Sequence, residues 1–455
     1  MTYTDAGQDA YYHVTFIVQK SDNQQPAPIL LVCPTNTWLA YNSSPFMDQA
    51  DFDPNNPDNP SLDIPRYSCY QTHRNFAPPY HFGLLLPQPA ADPYATYGND
   101  TYSHLTRATR FTQVWLESNG YKCDVISDSD LDSNPDILKN YKTVVIAGHS
   151  EYWSIPAYNG VKTYLSSRGR LIVLSGNTMY WRVSFSPDGT VMECRKVDGA
   201  GADTLQHNSI CNCFDARRRG EAWHSDDGLR GGLMRECGFP GWQLTGLETF
   251  GILGFKSTTP PPGKPAGTPP ILPSTPLARD AGDLAFGTFY VANPNHFLFQ
   301  GVVNPLPNPP PPPQPFAQYT IGHECDVRVS TLEAIRLKKG FSPPDGATAP
   351  IEPGATVPGE PSKEIITLAM GSLVNPFVGV GGDVCCYPYD YFLDNIGTVD
   401  PVAEMIYWQR SDGGRVFNGG AIANGVALYY DNKNGNTDHL FAGLMKNVLT
   451  YFLGP

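Results

Sequence analysis

The run Tyr141-Lys-Thr-Val-Val-Ile-Ala147, leading directly into Gly148-His-Ser-Glu-Tyr-Trp-Ser154, restricts the possible folds of this chain more than any other feature. A segment as apolar as residues 143–147 belongs in a sheet covered on both faces, the setting of a central parallel strand. A titratable cluster then sits at its carboxyl end, where open α/β sheets bind their ligands. His149 and Glu151 are two positions apart, so they project together if the backbone stays extended. A competing reading makes this segment the start of a helix, with Ser154 as N-cap before Ile155-Pro156.

Further strands are expected at residues 12–18, 29–33, 82–86, 123–126 and 171–174 from their β-branched and aromatic content. A helix is expected over 102–119, with Leu105, Phe111, Val114 and Trp115 on its apolar face and Gly120 as its stop. Others are expected at 155–167 and 438–453, the last with Leu440, Leu444, Val448 and Leu449 facing the sheet. Strand and helix alternate from 100 to 180, which implies right-handed crossovers and a parallel sheet. Three polar strand ends, at 34–42, 148–154 and 175–178, should then meet on one edge.

Beyond residue 200, strands expected at 287–291, 296–302, 364–368 and 404–409 are separated by proline-rich stretches at 259–276, 304–315 and 342–361. Extended proline runs lack ladder donors and belong on the surface. The fold class is therefore α/β: a mainly parallel, Rossmann-like sheet with helices on both faces and long proline-rich loop insertions. A single domain is expected over 1–455, with an irregular insertion at 47–79, a loop-rich region at 200–361, and a return to sheet and a C-terminal helix at 362–455.

A net charge of −13 argues against a nucleic-acid partner, and Arg217-Arg-Arg219 reads as a solvated loop. No apolar stretch is long enough to span a bilayer and the first residues do not resemble a secretory signal, so a soluble, cytoplasmic protein is expected. The ten cysteines form no CxxC pair and read as reduced core thiols. Neither GxSxG nor HExxH occurs, nor GxGxxG nor a phosphate-binding GxxxxGK[ST], which disfavours serine acyl transfer, zincin, dinucleotide and P-loop chemistry.

In order along the chain stand Thr37-Trp-Leu-Ala-Tyr-Asn42, Gly148-His-Ser-Glu-Tyr-Trp-Ser154, Ser175-Gly-Asn177 with Tyr180-Trp-Arg182, Met192-Glu-Cys-Arg-Lys196, Ile321-Gly-His-Glu-Cys-Asp326, Gly414-Arg-Val-Phe-Asn418 and Asn447-Val-Leu-Thr-Tyr-Phe-Leu453. This series resembles the large subunit of N,N-dimethylformamidase. The resemblance implies a domain akin to class I glutamine amidotransferases, carrying a mononuclear ferric ion on two tyrosines and a glutamate. By motif these are Tyr41, Glu151 and Tyr80, with Tyr94 as the alternative second tyrosine. It further implies Glu324 as general base and His149, Asn177 and Lys196 as substrate-orienting groups. Trp38, Tyr152 and Trp181 would wall the site, and Asp326 could equally be the acid, since an extended Glu-Cys-Asp puts both carboxylates on one side.

Such a site has a physical rationale. A phenol stays protonated at neutral pH unless a strong Lewis acid binds its oxygen, and Fe(III) is one. Three protein ligands leave positions open for water and an amide oxygen. The resemblance thus points to hydrolysis of a small formamide or related amide, in an oligomer that can include a small helical subunit. The alternatives are a non-catalytic relative serving as a structural or assembly protein, and a metal-free amidotransferase-like binding domain.

Overall fold

Strand-forming side chains that alternate between two apolar layers build the centre of this protein. The computed structural model describes residues 2–5, 8–11, 15–21, 23–41, 80–85, 91, 106–195, 223–235, 237–251, 287–302, 315–321, 324–331, 360–361, 364–372, 402–433 and 439–454. In chain order the elements up to the first tips are β1 (Thr2–Asp5), β2 (Gln8–Tyr11), β3 (Ile29–Cys33), α1 (Thr35–Ala40), β4 (His81–Gly83), α2 (Thr106–Ser118), β5 (Cys123–Ser127), α3 (Asp130–Ser133), β6 (Thr143–His149) and β7 (Tyr152–Ser154). They continue with α4 (Ile155–Ser166), β8 (Arg170–Gly176), β9 (Trp181–Phe185), β10 (Val191–Cys194), α5 (Trp242–Thr245), β11 (Glu248–Gly251), β12 (Gly287–Val291), β13 (Pro315–Ile321) and β14 (Glu324–Val327). The last are β15 (Ile365–Ser372), β16 (Val402–Gln409), β17 (Arg415–Asn418), α6 (Asn424–Lys433) and α7 (His439–Leu453).

The main sheet has nine strands in the order β13-β12-β15-β16-β17-β8-β6-β3-β5. From β17 to β5 every pairing is parallel. From β13 to β17 every pairing is antiparallel. The expected parallel α/β arrangement is present, and the antiparallel extension continues it from the residue-287 region onward. Leu30, Val32, Val144, Ile146, Leu171 and Val173 point to one side and pack with Ala157, Tyr158, Val161 and Leu165 of α4. Ile29, Leu31, Val145, Ala147, Ile172 and Leu174 point to the other and pack with Trp115 of α2 and Leu444, Val448 and Leu449 of α7. Period-two alternation thus gives both layers a greasy face, and helices cover both.

Read along the chain, the parallel strands lie in the order second, first, third, fourth, fifth. Chain direction across the sheet reverses between β3 and β6, which opens a crevice at their carboxyl ends. A four-stranded sheet, β4-β10-β9-β7, includes β7, which follows just past the tip of β6.

Two expected strands are not formed among the described residues. Residues 15–18 have no strand pairing there and Phe16 and Val18 are exposed, while 12–14 lie outside the described residues. At 296–302 the chain instead makes a 3-10 turn, Phe297–Phe299, with the His296 ring accepting from the Leu298 N–H. The 34–42 tip, expected only as a polar loop, contains the helix α1. The 47–79 insertion, the proline-rich stretches apart from residues 315 and 360–361, Arg217–Arg219 and Tyr94 lie outside the described residues. Among the described residues no helix is long and apolar enough to cross a membrane. Cys33 and Cys123 are free thiols.

Helices α2 and α6 approach closely because Gly425 has no side chain: a Cβ there would land on the Ala108 carbonyl oxygen and 2.7 Å from Thr112 Oγ1. Gly425→Ala should destabilise the fold by roughly 1–3 kcal/mol through overpacking, read as a lower midpoint in urea with an unchanged slope.

Candidate active site

Gly148, one residue before the end of β6, sits at φ 91°, a backbone region open to glycine but costly for other residues, and the turn brings His149 and Glu151 to the crevice. Both are buried, and His149 Nε2 lies 3.4 Å from Glu151 Oε2. The expected shared direction of the two side chains is therefore present. Of the helix reading only the cap holds: Ser154 Oγ accepts from the Ala157 N–H at 3.3 Å and caps α4, while Tyr152–Ser154 is the strand β7. The titratable pair precedes the cap and remains free of the helix.

Three strand tips meet here through their backbones. Thr37 Oγ1, on α1 after β3, accepts from the Glu151 N–H at 2.9 Å. Ser175 Oγ, from β8, accepts from the Ser150 N–H at 3.1 Å. The Met179 N–H donates to Ser150 O at 3.0 Å, and those of Tyr180 and Trp181 donate to Glu151 O at 2.8 and 2.9 Å. Glu151 is thus gripped on both sides of its peptide. Tyr41, at the end of α1, lays its ring against His149 with centroids 5.3 Å apart. Asn177 Nδ2 lies 3.4 Å from His149 Nε2. The imidazole is the hub joining Tyr41, Glu151 and Asn177, and rotation of the Asn177 amide can present it with a donor or an acceptor.

The Asn177 tip is strained. Asn177 and Met179 have φ 56° and 60°, left-handed values that Asn tolerates and Met does not favour. What holds them is Asp326 on β14, whose Oδ1 accepts from the Asn177 N–H at 2.7 Å. Asp326 is fully enclosed, and burial, reinforced by the nearby Glu248 carboxylate, pushes its pKa from 3.8 up to about 7 against the backbone bonds from Asn177 and Thr178. Its geometry is that of a backbone clamp. The option of Asp326 as the proton donor to substrate has no support in these contacts.

Asp128, just past β5, plays the same part for α1. Pro34 offers this helix no side-chain cap. Asp128 Oδ1 instead accepts from the Asn36 N–H at 3.0 Å and the Thr35 hydroxyl at 2.8 Å, so a neighbouring strand supplies the cap that orients Trp38 and Tyr41. Burial raises this carboxyl too, to about 7. Sequence reasoning passed over Asp128 and Thr37; the available signal was a carboxylate and a hydroxyl at the ends of parallel strands.

Tyr80 arrives on the small sheet. Its carbonyl accepts from the Cys194 N–H at 2.8 Å, and the Arg195 guanidinium lies 4.1 Å over its ring. Arg195 Nε in turn donates at 2.6 Å to the buried Glu193, which also accepts from the Ser225 N–H at 2.8 Å. The Met192–Lys196 motif therefore positions Tyr80. Lys196 itself lies outside the described residues, and Glu324 is placed only by its backbone, at the start of β14. Trp38, Tyr152 and Trp181 are buried within apolar clusters, Trp38 with Cys33 and Ala91 and the other two with Tyr180 and Val183.

Fold and site together define an open α/β protein with a polar, histidine-centred crevice at its switch point. A family described as "N,N-dimethylformamidase beta subunit-like, C-terminal" matches residues 2–437, and the chain belongs to that family. It is 27% identical over 261 residues to the N,N-dimethylformamidase beta subunit of Alcaligenes sp, covering 54% of this chain and 32% of that protein. The beta subunit of Paracoccus aminophilus is likewise 27% identical over 260 residues, again covering 54% and 32%. The match spans about a third of the length of these curated relatives.

Removing the Asp326 carboxylate by Asp326→Ala strands the Asn177 N–H in the interior and should cost about 1–3 kcal/mol in denaturant melts. In the native protein Asp128 and Asp326 keep protons that the unfolded chain releases above its ordinary value of 3.8. Their contribution to stability should therefore fall as pH rises from that value to about 7. Asp326→Asn should flatten that slope, as followed by melting temperature against pH.

Proposed function

We propose that this crevice hydrolyses the C–N bond of a small formamide or related amide, with a mononuclear Fe(III) held by Tyr41, Tyr80 and Glu151, in a domain of the glutamine-amidotransferase type. The observation that carries the reading is the gathering of Tyr41, Glu151 and Asn177 around His149, in a chain of the dimethylformamidase beta family. Among the described residues no three His, Cys, Asp or Glu side chains converge on a metal-sized site, so the proposal rests on phenol oxygens.

The residues present fit a hard trivalent cation. Two phenolates and a carboxylate are three anionic oxygens, matching its charge and its preference for oxygen. Tyr41 and Glu151 both lie against the same imidazole, and Glu151 is fixed through its own peptide. Bound there, the ion supplies Lewis acidity that polarises the amide carbonyl and acidifies water. The remaining work falls to this chain. His149 and Asn177 hydrogen-bond the oxyanion that develops as water adds to the carbonyl carbon, with Lys196 orienting the substrate. Glu324 takes the proton of the attacking water and passes it to the leaving nitrogen, so that the C–N bond breaks to acid and amine. Burial of His149 and the aromatic walls exclude bulk water and strengthen these interactions. Assembly as an oligomer, with a partner subunit, belongs to the same proposal.

Purified protein should contain about one iron per chain and show a visible phenolate-to-iron charge-transfer band. Tyr41→Phe, Tyr80→Phe and Glu151→Gln should each lose iron, colour and amine release from a panel of small amides. His149→Ala should keep the iron and lose roughly 10²-fold or more in kcat. Gently purified wild-type protein that is colourless and iron-free would sink the hydrolase reading and leave a structural or assembly role.

A further inference from the structure

The opposite end of the sheet holds a second cavity, independent of the crevice. Arg415 opens β17 and pairs in register with Arg170, which opens β8, so both lie at the amino ends of their strands. The cavity beside Arg415 measures about 460 Å³ and is walled by Phe297, Tyr451, Asn447 and Thr450 among others. That is within the usual size of small-molecule pockets.

Its charge is unbalanced. None of the lining residues is acidic. The Arg415 guanidinium lies 4.3 Å over the Tyr451 ring, a contact that covers one face and leaves the N–H edge to be satisfied in its plane. Among the described residues its Nε is buried and has no acceptor. Arg170 next to it spends its guanidinium on main-chain oxygens, those of Phe452 and, at 3.0 Å, Gly454, which brings in no negative charge. Among the described residues these two cations, on adjacent strands, pair with no carboxylate, in a chain whose net charge is −13. Asn447 is committed elsewhere, both of its bonds going to the Leu298 and Gln300 carbonyls at 2.8 and 3.0 Å.

The other wall is aromatic. Phe297 meets Tyr451 at 4.9 Å between centroids and Tyr407 at 5.6 Å, edge to face, yet 44% of it remains exposed. A ring so placed is held by its neighbours and still offers surface to a ligand.

We propose that this cavity is a ligand site for a small aromatic carboxylate. The carboxylate lies end-on against the two Nη nitrogens of Arg415, the Nε being buried, and forms the paired, charge-assisted bonds that a guanidinium makes with a planar acid. The ring of the ligand packs against Phe297. The site is distinct from the amide crevice, since Arg415 and Glu151 lie at opposite ends of parallel strands.

Calorimetric titration with benzoate, its neutral isostere benzamide, and acetate tests the assignment on wild-type protein and on three variants. Benzoate should bind wild type and benzamide should not. Arg415→Gln should weaken benzoate at least roughly tenfold while keeping a cooperative melt. Phe297→Ala, at a half-exposed position, should weaken benzoate more than acetate. Glu151→Gln, at the far end, should bind benzoate as wild type does. Equal affinity for benzoate in wild type and Arg415→Gln, equal binding of benzamide, or no binding at all would overturn the proposal. Loss of binding in Glu151→Gln would also overturn it by moving the anion to the strand tips, whereas failure of the hydrolase reading would leave these titrations unchanged.

Discussion

The parallel pairing of Ile29–Cys33 with Thr143–His149, register Val32 to Ile146, is the constraint from which the candidate site follows. These are the first and third strands of the parallel order, so helices leave them toward opposite faces and their tips are left facing one another. Thr37 can then accept from the Glu151 peptide, and Tyr41 can lie on His149. A slip of one residue would send every apolar side chain of β6 to the wrong layer, which is why hydrophobic burial, and no bond within the crevice, sets the register.

Two buried carboxyls convert that scaffold into a fixed geometry. Asp128 caps α1 from the neighbouring strand and Asp326 clamps the left-handed Asn177 tip. Burial raises the cost of charge on each, so each holds its proton up to about pH 7. Preorganisation is achieved with backbone N–H groups at the expense of the freedom of two short loops, leaving His149 to face the residues that the proposed chemistry uses. Within the small sheet a chain of supports, from Glu193 to Arg195 to the ring, holds Tyr80 against the Met192–Lys196 motif.

Local pattern made the parallel half of the fold legible. The apolar run at 143–147, the Leu171–Leu174 run and the amphipathic helices at either side carry their environment in their composition, and the polar tips that follow identify the site edge. The antiparallel extension was visible only as scattered strands, because an edge hairpin depends on partners distant in the chain. Residues 15–18 show the converse: Phe16 and Val18 favour extended backbone, but no strand among the described residues pairs with them. The 296–302 segment failed for a local reason, since the Asn-Pro-Asn turn and the His296 cap compete with a strand.

The amino-acid sequence by itself determined the layered α/β class, the strand tips that bear chemistry, and the pairing in direction of His149 and Glu151, because each depends on spacing of two to four residues. Only the tertiary structure decided that Tyr41 and Asn177 share one imidazole, that Asp326 clamps a backbone, and that Arg415 faces a cavity lined by no acid. Those contacts join residues about 30 to 150 positions apart, and nothing in the local pattern of either partner encodes the other. Their proximity comes from the strand order, which is fixed by burying the two faces of the sheet as a whole.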